Sequence, residues 1–266
     1  MSKITPILIK GAGRMGGAVI AGWRRAGAFA MADLIISDPD PGAEALKAAA
    51  SGARLNPPDG QLSEARTVLF AVKPQIWREA AAQLSTQLAS DAVVVSVVAG
   101  VSASDLLATF RCPVARVMPT TAAAIGQGTA SLFAADVTAR NRARMLFEPV
   151  GSVIDLDEED QMHAATAVSG SSPAYLFAFI EALEAAGQTV GLSAEASQTL
   201  ARQTIAGAAA LLRQSGEDPS VLRTQVTSPG GTTAAALGVL MGEGGLGRLL
   251  EDAVKAATAR SRELGQ

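Results

Sequence analysis

Short β-branched runs alternate with Ala-rich stretches through the first 160 or so residues, and this rhythm limits the fold more than any other feature. Residues 7–9, 34–36, 68–72, 93–98, 114–118 and 153–155 read as strands, continuous in Val, Ile and Leu as strands buried on both faces are. Residues 15–25, 43–50 and 78–88 are long enough for crossover helices between the early strands. Strand, helix, strand in that order predicts an α/β fold with a parallel, doubly wound sheet. After about residue 159 the strand signal stops. Pro173, with Ser172 before it as an N-cap, opens a helix whose Leu176, Phe179, Ile180 and Leu183 form one apolar stripe. Ser193 caps a second long helix ended by Gly216, and Asp218 with Pro219 starts a third. The reading is a dinucleotide-binding domain over 1–158 and an all-helical domain over 159–266. The acidic run from Asp155 to Asp160 at the junction reads as a solvated linker or a helix start.

Composition narrows the function. At 266 residues with 48% hydrophobic and 18% charged residues, the chain is globular, not disordered. A net charge of −3 offers no basic face to a nucleic acid. No apolar run reaches the roughly 18 residues that would suggest a membrane span. The single cysteine, Cys112, can form neither an intrachain disulfide nor a cysteine-based zinc site, and a reducing cytoplasm is the expected compartment. The first apolar run is cut at Gly11, too early for a signal sequence, so Met1 is read as close to the mature start.

Gly11, Gly13 and Gly16 form Gly-Ala-Gly-Arg-Met-Gly between the first strand and the first helix. The first glycine permits the tight turn, the second a close approach of backbone to pyrophosphate, and the third the packing of helix on strand. The second strand ends at Ser37 and Asp38, where a ribose-reading group is expected. Asp38 suits the 2′-hydroxyl of NAD, Ser37 could donate to a phosphate, and Asp38-Pro39 also fits a plain exposed turn, so these residues leave the cofactor's phosphate open.

Chemistry is expected beyond the carboxyl ends of the strands, at Ala71-Val72-Lys73-Pro74, Ala99-Gly100-Val101 and Met118-Pro119-Thr120-Thr121. Lys73 fits either a catalytic cation or a loop lysine whose backbone lines the nicotinamide pocket. His163, the only histidine, sits at the domain junction, and Cys112 is read as inert. In Ser228-Pro229-Gly230-Gly231-Thr232-Thr233 a turn runs into an Ala-rich helix. The N–H groups of Gly231, Thr232 and Thr233 would then converge on one small space suited to a carboxylate.

These residues resemble those of the pyrroline-5-carboxylate reductase family. Ala71-Val72-Lys73-Pro74, the stretch from Val168-Ser169-Gly170-Ser171 to Ser172-Pro173-Ala174-Tyr175, and Ser228 to Thr233 match three of its signatures in order and spacing. The resemblance implies reduction of (S)-1-pyrroline-5-carboxylate to L-proline, the last step of proline synthesis, by hydride from NADPH or NADH. It implies that Gly11, Gly13, Arg14, Met15 and Gly16 hold the pyrophosphate. Ser37 and Asp38 would take the adenosine ribose, Asn56 the adenosine side, and Val72, Lys73, Pro74, Ala99 and Gly100 the nicotinamide half. Ser228, Gly230, Gly231, Thr232 and Thr233 would form the substrate site, with the Thr233 hydroxyl near the ring nitrogen. It also implies a homodimer with interleaved C-terminal domains, an active site at the dimer interface, and often a ring of dimers. Four positions depart from the family pattern: Ser172 for Gly, Thr120 for Asn, Arg14 for Asn or Gln, and Lys10 for an apolar residue. A β-hydroxyacid-type dehydrogenase shares the two-domain plan but needs a lysine on the first long helix of the second domain, and none lies between Tyr175 and Gln188. A non-catalytic dinucleotide-binding regulator is the other alternative. A cyclic imine that arrives protonated needs orientation more than a strong acid, which suits a chain with one histidine and one cysteine.

Overall fold

The computed structural model describes residues 4–264 and divides into two compact units, one of residues up to Gly170 together with those from Ala257 onward, the other Ser171–Ala256.

The first unit carries strands β1 (Ile7–Lys10), β2 (Leu34–Ser37), β3 (Arg54–Leu55), β4 (Thr67–Phe70), β5 (Val93–Ser96), β6 (Val114–Pro119), β7 (Gly128–Phe133) and β8 (Gly151–Asp155). Its helices are α1 (Arg14–Ala26), α2 (Ala43–Ala50), α3 (Trp77–Ser85), α4 (Ala103–Phe110), α5 (Val137–Phe147) and α6 (Gln161–Ala165). The sheet runs β3-β2-β1-β4-β5-β6-β7-β8. Neighbours are parallel from β3 to β6; β7 is antiparallel to β6, and β8 is parallel to β7. The winding reverses between β1 and β4, which opens a crevice at their carboxyl ends.

Both sheet faces are apolar because alternate residues of each strand serve opposite layers. Ile7 and Ile9 pack with Val19, Ile20 and Trp23 of α1 and with Leu146 and Phe147 of α5. Leu8, Val68 and Phe70 pack with Trp77 and Leu84 of α3 and with Leu106 and Phe110 of α4. Fully buried Ala45 and Ala48 seat α2 on the first layer.

The sequence pattern misses two strands. β3 has only two residues, and β7 is a Gly-Thr-Ala-Ser stretch with little β-branched character that pairing on both sides holds extended. Of the two readings of the acidic run, the helix start holds at its end, where Asp160 takes the N-cap position of α6, and the run is not a free linker. Glu159 pairs with buried Arg116, and Asp160 with Arg262.

In the second unit lie α7 (Ser172–Thr189), α8 (Ala194–Ser215), α9 (Pro219–Gln225), α10 (Thr232–Leu240) and α11 (Leu246–Glu263), whose last turns belong to the first unit. Ser172 is the first residue of α7; Ser171 takes the cap position without a side-chain cap bond. Ser193 caps α8 by accepting from the Ala196 N–H, and Asp218 caps α9 by accepting from the Ser220 N–H. Among the described residues of this unit only Ser197 and Ala201 are buried, while Phe177, Val190 and Val239 are 62%, 81% and 78% exposed.

Candidate functional site

The crevice at the switch point is a cleft of about 470 Å3 that brings together Gly11, Gly13, Ser37, Asp38, Val72 and Lys73. The three glycines between β1 and the first turn of α1 meet three different demands. Gly11 has φ +94, and a Cβ there would stand 2.6 Å from the Ala71 carbonyl oxygen. A Cβ on Gly16 would stand 2.1 Å from the Gly11 oxygen, so this glycine lets α1 lie against the loop. A Cβ on Gly13 would meet nothing within 4 Å, leaving space at the helix start that a ligand can enter. Gly13 is also the residue at the N-terminal cap of α1, with no side-chain cap to occupy the helix N–H groups.

Asp38 is tied into this loop. Its Oδ2 accepts from the Ala12 N–H at 2.6 Å and its Oδ1 from the Asp40 N–H at 2.8 Å. Asn56, held at φ +47, accepts from the Asp38 N–H at 2.9 Å and donates to the Asp38 carbonyl at 2.8 Å. Asn56 therefore positions the loop after β2; it does not line the cleft. Arg14, Met15, Gly16, Pro74, Ala99 and Gly100 also lie outside the cleft lining. Gly100, at φ +78, lines a second cavity with Ser102, Arg116, Glu159, Asp160, His163 and Arg262. Sequence reasoning missed the wall formed by Ile76, just before α3, and by Glu79, Ala80 and Gln83 of α3, because a helix lining a cleft carries no motif. It noted Lys10 only as a departure; a lysine closing an otherwise apolar strand was the available signal.

The second cavity is a polar network. Glu159 Oε1 accepts from Arg116 and from the Ala103 N–H, both at 2.6 Å. His163 Nδ1 lies 2.9 Å from Ser261 Oγ. Burial and the Arg116 charge lower the His163 pKa below 6.5, against the opposing pull of Asp160. Thr120, buried, accepts from the Thr129 N–H at 3.0 Å, so its hydroxyl oxygen serves the end of the β6–β7 pairing. Burial pushes the Cys112 thiol up to about 11, in keeping with an inert side chain.

In the helical unit the substrate-type stretch is a turn leading into α10. Gly230 has φ +70, and a Cβ on Gly231 would stand 2.5 Å from Ser228 Oγ. The Gly231 N–H donates to the Ser228 carbonyl at 3.1 Å, which corrects the expectation that it is available to a ligand. Gly231 caps α10 without a side-chain cap bond. The N–H groups available at this helix start are those of Thr232, Thr233 and Ala234.

Two family models match the chain: pyrroline-5-carboxylate reductase dimerisation over residues 159–264, and NADP oxidoreductase coenzyme F420-dependent over 6–100. The pyrroline-5-carboxylate reductase of Pseudomonas aeruginosa is 38% identical over 264 residues, 96% of this chain and 95% of its own length. The chain belongs to the pyrroline-5-carboxylate reductase family. The Coxiella burnetii pyrroline-5-carboxylate reductase structure superposes with a TM-score of 0.89 at 30% identity, covering 99% of this chain and 100% of its own. The Plasmodium falciparum pyrroline carboxylate reductase, solved with NADP bound, gives a TM-score of 0.84 at 26% identity with both chains fully covered.

Proposed function

We propose that this chain reduces (S)-1-pyrroline-5-carboxylate to L-proline, the final step of proline biosynthesis, with NADPH or NADH as cofactor. The observation that carries the reading is the start of α10, where Gly230 and Gly231 form a side-chain-free turn and N–H groups without helix partners open on Thr232 and Thr233. The first cleft fits a dinucleotide, since Gly13 leaves room that a Cβ would fill and Ser37 and Asp38 stand at its ribose end. When bound, the nicotinamide supplies the hydride. Around it, Gly11, Gly13, Arg14, Met15 and Gly16 form the pyrophosphate loop, and Val72, Lys73, Pro74, Ala99 and Gly100 the nicotinamide side. Thr232 and Thr233 hold the substrate carboxylate with backbone N–H groups, favoured by the positive end of the helix dipole. Ser228 and Gly230 shape that turn, and the Thr233 hydroxyl orients the ring nitrogen. Positioning supplies much of the catalysis for a substrate that arrives as a protonated imine.

The dimerisation and substrate domain begins at residue 159 in this reading. The reading includes a homodimer with interleaved C-terminal domains, an active site at its interface, and a ring built from such dimers; the exposed apolar side chains of the helical unit support the association itself. Cytoplasmic residence is supported by the single buried thiol. Among the described residues no helix is long and apolar enough to cross a membrane.

The test is oxidation of NADPH, and separately NADH, by purified protein with pyrroline-5-carboxylate, with a 2-hydroxy acid plus oxidised cofactor as control. Dinucleotide binding without turnover would favour the regulatory alternative. Thr233→Ala is expected to lower kcat/KM about tenfold to a thousandfold, with Thr233→Ser restoring most of it. Unchanged kinetics would remove the role assigned to that hydroxyl.

A further inference from the structure

We infer that Lys10 is the group on this chain that recognises a 2′-phosphate on the adenosine ribose, and so sets how far the cleft accepts NADPH beside NADH. The inference rests on the dinucleotide reading of the cleft.

Lys10 closes β1, a strand whose other residues, Ile7, Leu8 and Ile9, are fully buried. An ammonium in place of a fourth apolar side chain carries a desolvation cost unless its protons find acceptors. One of its three donors reaches Ser37 Oγ at 3.1 Å. Among the described residues no carboxylate stands within ion-pair distance of it, although Asp38, Asp40 and Glu79 line the same cleft. Lys10 and Ser37 are register partners on adjacent parallel strands, so the ammonium and the hydroxyl sit side by side at the crevice mouth. Asp38 follows Ser37 directly, at the ribose-reading position.

Asp38 by itself argues against a 2′-phosphate, because two anions would be forced together. Both of its carboxylate oxygens, however, already accept backbone N–H groups, from Ala12 and Asp40, so the carboxylate is held against the protein's own donors. Lys10 then supplies the missing cation, and Ser37 a hydroxyl donor, for an anion placed beside them. Lys73, the cleft's other lysine, follows β4 across the crevice and is assigned to the nicotinamide side. A 2′-hydroxyl carries no charge, so Lys10 adds little to NADH binding compared with what it adds to NADPH.

The experiment is isothermal titration calorimetry of the full chain with NADPH and NADH, for wild type, Lys10→Met and Lys10→Arg. In Lys10→Met the ratio of the NADPH to the NADH dissociation constant is expected to rise at least tenfold, about 1.4 kcal/mol. Lys10→Arg, which keeps the cation, should hold the ratio within about threefold of wild type. Competition by adenosine 2′,5′-bisphosphate should weaken in Lys10→Met more than competition by adenosine 5′-monophosphate. If Lys10→Met fails to fold, Lys10→Gln gives the same readout with a polar isostere. A ratio unchanged within about twofold in the neutral variants would overturn the proposal and leave Lys10 a strand-end lysine bonded to Ser37. Wild-type protein that binds neither dinucleotide would overturn the nucleotide site itself, and this proposal with it.

Discussion

Gly13, at the N-cap of α1, and Gly16, in its first turn, lie three residues apart and are glycine for unrelated reasons. At Gly16 the added methyl would collide with backbone, the Gly11 oxygen at 2.1 Å, which cannot move without shifting α1 or the loop. Gly16→Ala is therefore expected to destabilise the protein by about 2–3 kcal/mol in urea unfolding. At Gly13 the added methyl meets open space, so Gly13→Ala should keep the urea midpoint near wild type while weakening dinucleotide binding about tenfold or more by calorimetry. A stability loss at Gly13 matching that at Gly16 would show that both glycines serve packing alone. The same scale explains Asn56. Its amide grips both the N–H and the carbonyl of Asp38, so it holds the loop after β2.

At the scale of elements, α6 and the end of α11 meet in the first unit through His163 and Ser261 and through Asp160 and Arg262. Burial and Arg116 hold the His163 pKa below 6.5 in the folded protein. The unfolded chain therefore binds more protons in the window between the folded pKa and 6.5, and stability rises with pH there. The contribution is complete above about pH 7, is lost as pH falls through 6.5 toward the folded value, and levels off below it. His163→Gln is expected to flatten that part of the curve of urea midpoint against pH. Identical curves for the two proteins would show that the slope comes from other groups. Arg116 nearby depends on Glu159, whose one carboxylate oxygen serves both its guanidinium and the first N–H of α4. An acidic run that reads in sequence as a solvated linker or a helix start is thus both the start of α6 and an anchoring point, because a buried arginine requires a partner.

At the scale of the molecule, the helical unit cannot be complete as a single copy. Phe177 on α7 and Val239 on α10 lie largely in the open, as do Val190 and Leu249. Exposed apolar surface of this extent marks an association site. Phe177→Asp is expected to shift the protein from dimer to single chains in sedimentation velocity at micromolar concentration, and to abolish imine reduction. The cleft proposed for the dinucleotide lies within the first unit, so on that reading NADH binding should survive in the same variant. A variant that remains dimeric with full activity would place the interface elsewhere on the helices.

Sequence alone determined the alternation of strands and helices, the glycine loop and the turn before α10, because each depends on local geometry: period, turn chemistry and capping. The family was legible only as a resemblance of three motif stretches, around Lys73, Pro173 and Gly231. Strands β3 and β7 were not legible, since only hydrogen bonds from neighbouring strands hold Arg54–Leu55 and Gly128–Phe133 extended. The tertiary structure also decided which groups are already committed: Thr120 to β7, the Gly231 N–H to the Ser228 carbonyl, Asp38 to the glycine loop. It placed Lys10 beside Ser37, two residues 27 apart in the chain that become neighbours only when β1 and β2 pair. Residue types can be read one by one, but whether a donor or a charge is spent or available depends on partners that the fold brings from elsewhere.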